Sequence, residues 1–448
     1  MKNKLLYLAL LIISIGSVSF IVIKYQYNKQ NTSASVYNLL PRKGLLSKTD
    51  EWIATQRNVN ALQNKIAANA ADTKSMIAIA NNFVLEARAT GNYAYYDKAA
   101  MRMVNEVLKI DENNFDALTI RSLVYMSQHH FADGLATAHH AANIVPYNAF
   151  VQGILVDGYV EMGMYDTALI SAQNMMDIRP DLRSYARTSY LREIYGDYPG
   201  AIEAMKMAID AGAPGDEATE WSRIQMGHLY ENMGDLKNAE INYRIALNER
   251  PGYMYALAGM ARLALAAKDY SRAIYYYQQA AKDAVPGAFK EEIATVYFLS
   301  GQKEKATVLT NEVIAELDKN AQAANADESI GHYADKELAY AYLSINNSDK
   351  ALEHALMEYN RRPKNIEVNE MVAWMYFKKG EAVKALPFLK AAFITNSKNP
   401  TLLCRAGLIY AKNGDAKNAK LLLQQGLQNN ANIDELLKAE AIQVEKSL

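Results

Sequence analysis

The 448-residue chain contains a single cysteine, Cys404, which excludes an intrachain disulfide and any CxxC zinc or redox site. Its charges nearly cancel, with 48 Lys and Arg against 49 Asp and Glu, so no strong basic field exists to recruit nucleic acid. We find no phosphate-binding loop, GxSxG elbow, HExxH motif or glycine-rich dinucleotide fingerprint. These absences predict a protein that is not an enzyme and that has no cofactor.

Long apolar runs are also scarce, and the one clear case lies at the N-terminus. Residues 5–23 carry no charge, and as a helix they would span about 28 Å, roughly one hydrocarbon core. We expect a signal-anchor helix over residues 1–24. The alternative is a cleaved signal peptide, with Ser17 to Ser19 as the small-x-small cleavage site. Lys2 and Lys4 favour an orientation with most of the chain outside the cytoplasm, whereas the lysines and arginines after residue 23 favour the opposite orientation.

A repeat begins further along the chain. Small residues occur at the centre of nine amphipathic segments, and six of the eight spacings between them are 33 or 34 residues. A second column, nine residues earlier, is tyrosine in seven of nine cases. These columns predict pairs of helices that approach closely at the small residue and stack into a solenoid. The small-residue column is Gly134, Ala168, Ala201, Ala239, Ala273, Ala306, Ala351, Ala385 and Ala419.

This pattern resembles the tetratricopeptide repeat (TPR), and the segment with Gly227, Tyr230, Ala239, Tyr243 and Pro251 matches it most fully. The resemblance implies an all-α fold, in which helical hairpins of the TPR type stack into a solenoid that forms a right-handed superhelix. The expected membrane-anchor helix precedes this solenoid at the N-terminus. It also resembles bacterial membrane-anchored proteins of this repeat class. The expected organisation is an anchor at 1–24, a polar linker at 25–48, a capping half-repeat at 49–72, about ten repeats at 73–430 and a capping helix at 431–448.

The stretch HHFADGLATAHH, residues 129–140, holds four of the seven histidines. The repeat places His129 at the turn between two helices, where other repeats have glycine and a positive φ is needed. His130 falls where other repeats have a capping aspartate. His139 and His140 lie about 13 Å further along a helix, too far to share one ion with the first pair. No metal site is therefore expected.

In this fold, the resemblance implies that certain positions of each first helix face a concave groove. We expect that groove to bind proteins or peptides, because aromatic residues and arginine commonly anchor interfaces. The candidate groove residues are Phe150, Asp157, Arg183, Tyr190, Glu193, Trp221, His228, Glu231, Tyr255, Arg262, Tyr333, Tyr340, Trp374 and Phe377.

The expected function is that of a membrane-tethered, non-enzymatic scaffold or adaptor at a bacterial cell envelope. Its repeat domain would be periplasmic or extracellular, tethered to the inner membrane by a single pass at residues 5–23. Two alternatives are a cytoplasm-facing regulator anchored to that membrane, and a secreted ligand-sensing solenoid released by signal cleavage. The C-terminal metal module of one such regulator family needs CxxC pairs, which this chain lacks.

Overall fold

The computed structural model describes residues 37–285, 287–326, 331–428 and 432–448. The chain divides into two units, Met1–Leu40 and Pro41–Leu448, and all that follows concerns the second. Its described residues form one short 3-10 helix, Gly44–Lys48, and 22 α-helices with no strand. The α-helices are α1 (Asp50–Ala68), α2 (Thr73–Thr90), α3 (Tyr93–Ile110), α4 (Phe115–Ser127), α5 (Phe131–Ile144), α6 (Ala149–Glu161), α7 (Tyr165–Ile178), α8 (Leu182–Ile194), α9 (Tyr198–Asp210), α10 (Glu217–Asn232), α11 (Leu236–Glu249), α12 (Met254–Ala266), α13 (Tyr270–Asp283), α14 (Lys290–Leu299), α15 (Lys303–Ala326), α16 (Asp335–Ser344), α17 (Ser348–Arg361), α18 (Ile366–Lys378), α19 (Ala382–Ala392), α20 (Pro400–Lys412), α21 (Ala416–Leu427) and α22 (Glu435–Ser447).

Helices α2 to α21 pack in consecutive pairs as ten helical hairpins, with α2 and α3 as hairpin 1 and α20 and α21 as hairpin 10. The small-residue column lies at the contact within each pair. Ala239 and Ala385 have no exposed surface, and a Cβ on Gly227 would clash with the ring of Tyr243. Larger side chains at these positions would separate the two helices, because the contact has no spare volume.

The turn inside each hairpin is built from two residues with different tasks. The first takes a positive φ, which glycine adopts freely; Gly234 has φ +74° and Gly414 has φ +81°. In five of the ten hairpins, the second residue caps the next helix with its side chain. Asp235 accepts a bond from the N–H of Asn238 at 3.0 Å, and Asp415 accepts one from Asn418 at 3.1 Å. This pairing ends one helix and starts the next within a few residues.

Successive turns of the superhelix touch each other. The turn of hairpin 2 contacts the segment before α16, where the N–H of Tyr333 donates to the carbonyl of Gln128 at 3.1 Å. Hairpin 3 makes the equivalent contact with the segment before α18: the N–H of Ile366 donates to the Tyr165 hydroxyl at 2.8 Å, across 201 residues. Near the C-terminus, the N–H of Asn432 donates to the carbonyl of Glu231 at 3.0 Å. The hairpin turns therefore pack against loops that lie about six hairpins later.

Residues 41–48, expected as part of the polar linker, belong to the folded unit. Arg42 is buried, and its guanidinium pairs with Glu86 at 2.6 Å and Glu51 at 2.7 Å. Glu51 also pairs with Arg250 at 2.8 Å, which ties α1 to the loop before α12. Separating a buried arginine from two carboxylate partners would leave uncompensated charge inside the protein, so these ion pairs hold the segment in place.

The anchor predicted over residues 5–23 lies outside the described residues. Among the helices that the structure describes, none combines the length and the apolar character that crossing a bilayer requires.

Candidate functional site

The first helices of successive hairpins pack on one another, as α8 does on α10 and α10 on α12, so they form the inner face of the stack. Burial, together with the charge of Glu367 in α18, raises the pKa of Tyr190 in α8 well above its ordinary value. The pKa of Glu193 is raised to about 7 by burial and by the charge of Glu367, against a hydrogen bond from Asn232 that lowers it. Side chains on the inner face therefore lie close enough to other parts of the protein to lose part of their hydration.

Thirteen of the fourteen candidate groove residues lie on first helices, and eleven of these are exposed or partly exposed. We call five of the eleven, four aromatic residues and one arginine from hairpins 3 to 6, the inner patch. Arg183 stacks over Phe150 with its guanidinium 5.1 Å from the ring centre, and Tyr190, two turns along α8, is 38% exposed. The Trp221 and Tyr255 rings meet edge to face at 5.0 Å. The inner patch is Phe150, Arg183, Tyr190, Trp221 and Tyr255.

The inner patch carries a guanidinium without a carboxylate partner. No ion pair involves Arg183 within the described residues, whereas its neighbour Arg187 pairs with Asp157 at 2.6 Å. Burial and the nearby Arg187 charge lower the pKa of Arg183. A cation crowded by another cation is stabilised by an added anion, so this position favours an acidic group on a partner.

Other charged candidates are already paired within the chain. Glu231 is only 5% exposed and accepts bonds from Arg262 at 3.0 and 3.1 Å. Burial alone would lower the pKa of Arg262, but the Glu231 carboxylate raises it above its ordinary value. His228 is held neutral, because burial and the Arg262 charge lower its pKa to about 4. A ligand could engage Glu231 or Arg262 only by breaking contacts that the fold already makes.

The C-terminal candidates are covered by the chain itself. Trp374 is 5% exposed and stacks on Phe377 at 5.1 Å, and both belong to a cluster that includes Leu437 and Ala441 of α22. The Tyr340 hydroxyl accepts a bond from Arg405 at 3.0 Å. The expectation that Trp374 lines an open groove is therefore wrong, because α22 packs over the last hairpins.

Tyr333 does not lie on a first helix, since α16 begins at Asp335. The prediction that Tyr333 and Tyr340 share one helical face is therefore wrong. The Tyr333 ring stacks on His130 at 4.0 Å with 8° between the planes, and the guanidinium of Arg361 lies 4.5 Å from its centre. Tyr333 thus contributes to the contact between superhelical turns.

The four histidines of residues 129–140 do not converge on one point. His129 has φ +62°, as the turn requires. His130 precedes α5 at the capping position but makes no side-chain cap bond; it is 2% exposed and its Nε2–H donates to the carbonyl of Gly331 at 3.0 Å. An aspartate at 130, which the repeat pattern favours, would lose that bond. His139 bonds the Tyr159 hydroxyl, and His140 bonds Asn113.

One cluster was missed by the sequence analysis. His129 meets His332 and Glu337, with one potential ligand atom from each within 4.8 Å of the others. These residues come from segments about 200 positions apart, so no local motif marks them. By contrast, Cys404 is buried as expected, and burial raises its thiol pKa to about 11, which keeps it unreactive at neutral pH.

The structure is that of a TPR-type protein. It has ten stacked hairpins with small residues at the helix contacts, and each hairpin turn contains a residue with positive φ. No protein-family model matches the chain, and no curated protein matches its sequence. Among solved structures, 271 chains match. A TPR protein from Parabacteroides merdae is 16% identical with a TM-score of 0.35, covering 59% of this chain and 98% of its own.

Two further solved structures show the same kind of likeness. PilW, described as a widely conserved type IV pilus biogenesis factor, is 17% identical with a TM-score of 0.37, covering 45% of this chain and 92% of its own. Human IFIT1, a dimer with PPP-AAAA, is 14% identical with a TM-score of 0.47, covering 77% of this chain and 79% of its own. At such identities the likeness concerns the fold alone, and their partners carry no argument for this chain.

Proposed function

We propose that this protein is a non-enzymatic scaffold that binds segments of other proteins at the inner patch. The observation that carries the proposal is the unpaired, crowded Arg183 guanidinium stacked on Phe150, with Tyr190 exposed on the same helical face. Arginine and large aromatic residues are the types that dominate binding energy in protein interfaces. An extended or helical peptide with an acidic residue beside apolar side chains fits this chemistry.

The partner's acidic group would pair with Arg183, and its apolar side chains would pack against the edge-to-face pair of Trp221 and Tyr255. These rings lie two and four helices after α8, so a peptide reaching from one to the other would follow the superhelical axis across three hairpins. The charged groups of Glu231 and Arg262 border this path but satisfy each other. We therefore assign them to support of the surface and not to contact with the partner.

The setting in our proposal is the bacterial cell envelope, with the repeats held at the membrane by residues 5–23. The support for this setting is the uncharged run of nineteen residues between Lys4 and Lys24. N-terminal sequencing of the mature protein distinguishes an anchor from a cleaved signal. A reporter fused after Leu448 distinguishes a periplasmic repeat domain from a cytoplasmic one.

The binding surface is tested with two variants of equal stability. In the first, Arg183→Ala is combined with Tyr190→Ala; in the second, Gln278→Ala changes an exposed residue on the second helix of hairpin 6. Loss of one anchoring side chain typically costs about 2 kcal/mol of binding, which is about thirtyfold in affinity. We expect the inner double variant to lose its partners in pull-downs from membranes, and Gln278→Ala to keep them.

The same experiment includes photo-crosslinkers at positions 190 and 278, with helicity and thermal unfolding measured for every variant. Crosslinks to one partner from position 190 and none from position 278 support the proposal. If the inner double variant retains every partner while Gln278→Ala loses them, the inner patch is not the binding surface.

A further inference from the structure

Three potential metal ligands meet where two turns of the superhelix touch. His129 lies in the turn of hairpin 2, whereas His332 and Glu337 flank the start of α16 in hairpin 8. The two imidazole rings are 4.2 Å apart between centres. Glu337 Oε1 lies 4.0 Å from His129 Nδ1 and 4.0 Å from His332 Nε2. All three side chains are about one-third exposed, so a small ion could reach them from solvent.

The hydrogen bonds of this cluster are incomplete. Glu337 Oε2 is buried and has no hydrogen-bond partner among the described residues. A buried carboxylate oxygen without a partner is costly, and such an atom in a native protein commonly marks a missing ion or water. Oε1 is the oxygen that faces the two imidazoles, so a cation bound there would satisfy Oε2 as well only if the carboxylate bound it through both oxygens.

His129 is also held in a form that can bind a metal. Its Nδ1 lies 3.2 Å from the carbonyl oxygen of Tyr333, which can only accept, so Nδ1 carries the proton in that bond. The lone pair is then on Nε2, so Nε2 is the nitrogen available to a metal, whereas Nδ1, the atom 4.0 Å from Glu337 Oε1, keeps its proton. Histidines that bind metals usually donate their other ring N–H to a carbonyl or carboxylate, which sets the tautomer and the ring orientation.

The cations near the cluster have carboxylate partners of their own. Lys336 pairs with Glu367 at 2.7 Å, and Arg362 pairs with both Glu358 and Glu161. Each of these cations therefore has an anion beside it. The charges of Arg362 and Lys336 still act on His129, so these ion pairs reduce the repulsion of a divalent cation without cancelling it.

We propose that His129, His332 and Glu337 bind one zinc ion, which joins the two turns of the superhelix. Two imidazoles and a carboxylate are an established zinc ligand set, with a fourth position left for water. Tetrahedral bonds of about 2.0–2.1 Å place ligand atoms about 3.4 Å apart. The present separations of up to 4.8 Å require the three side chains to close by about an ångström. Their partial exposure leaves room for that movement.

The zinc would act as a clamp because its ligands come from hairpins 2 and 8. Metal binding to the folded state alone raises stability with ligand concentration. It would also fix the spacing between turns, and with it the width of the inner face. The sequence predicted no metal site, because only the four histidines of residues 129–140 are close along the chain and they are too far apart to share one ion.

The proposal is tested on the full chain after treatment with a chelator and buffer exchange, using ZnCl₂ as the probe and MgCl₂ as the comparison. The variants are His332→Ala and Glu337→Gln, and the control is His140→Ala, an exposed histidine whose ring bonds only Asn113. We expect one zinc per chain by calorimetry and a rise of several degrees in the unfolding temperature. Magnesium should have neither effect.

The two site variants should bind zinc at least tenfold more weakly and lose the thermal shift, while His140→Ala should match the wild type. Circular dichroism without metal checks that each variant is folded; if His332→Ala is not, Glu337→Gln, which keeps the shape of the side chain, decides. The absence of one-to-one zinc binding in the wild type, or its equal loss in His140→Ala, would overturn the proposal.

Discussion

Asp97 is a buried carboxyl group in α3 that contacts the next hairpin. It is 5% exposed, and the Ser127 hydroxyl at the end of α4 donates to its Oδ2 at 2.6 Å. Burial raises its pKa from 3.8 to about 7, because one hydrogen bond compensates only part of the lost hydration of the charge. Between these two values the folded chain holds the proton and the unfolded chain does not. Stability from this residue is therefore complete below about pH 4 and is lost as the pH rises to 7.

We predict that Asp97→Asn flattens this pH dependence. The amide has nearly the same shape and its oxygen can still accept from Ser127, but it never has to carry a buried charge. The difference in unfolding free energy between variant and wild type should grow from pH 5 to pH 7 by at most about 1.4 kcal/mol per pH unit. Urea unfolding at several pH values measures it, with the exposed Asp177→Asn as control. Parallel curves for wild type and Asp97→Asn would contradict the assignment.

At the scale of the element, the hairpin turn is the feature that sequence reasoning could predict. One residue with a positive φ recurs in every repeat, and it is usually glycine. His129, Lys268 and Asn346 occupy the same position in their repeats and adopt the same conformation. That requirement is local, since it depends on how one helix ends and the next begins. The contacts that these exceptions make depend on the pitch of the whole superhelix, and no short-range pattern contains that information.

The position of Trp374 was predicted wrongly for the same reason. The helix that covers it, α22, begins sixty-one residues later in the chain.

Lys268 provides a test of the turn's backbone requirement. It has φ +59°, and its ammonium pairs with Glu435 at 3.3 Å while remaining 67% exposed. Lys268→Gly and Lys268→Ala both lose that surface ion pair, but only alanine keeps a Cβ in the left-handed region. After allowance for the extra freedom of glycine in the unfolded chain, we expect the glycine variant to be more stable than the alanine variant by about 1 kcal/mol. Chemical unfolding measures the difference, and equal stabilities would mean that the turn does not hold a positive φ in solution.

At the scale of the whole molecule, successive turns of the superhelix are in direct contact with each other. Arg362 joins Glu161 to Glu358, and Asn365 donates to the carbonyl of Glu161 at 3.1 Å. These bonds lie beside the loop that leads into α18, at the rim of the inner face. The distance between these two turns is thus set by contacts between residues about 200 positions apart. If the inner patch binds partners as we propose, a change at the turns would alter binding without touching the inner patch.

Gly163 and Gly414 form a matched pair for testing that contact. Both occupy hairpin turns, with φ of +71° and +81°, so alanine at either position costs about 1–2 kcal/mol for the backbone conformation. A Cβ at Gly163 would also clash with the backbone of Lys364 in the next superhelical turn, whereas a Cβ at Gly414 has nothing within 4 Å. We therefore expect Gly163→Ala to lose a further 1–3 kcal/mol or so of unfolding free energy, as overpacked contacts do. Small-angle X-ray scattering should show a larger radius of gyration for Gly163→Ala alone, because the backbone of Lys364 can yield only if the two turns separate. Equal stability losses and equal radii in the two variants would mean that the turns are not in contact in solution.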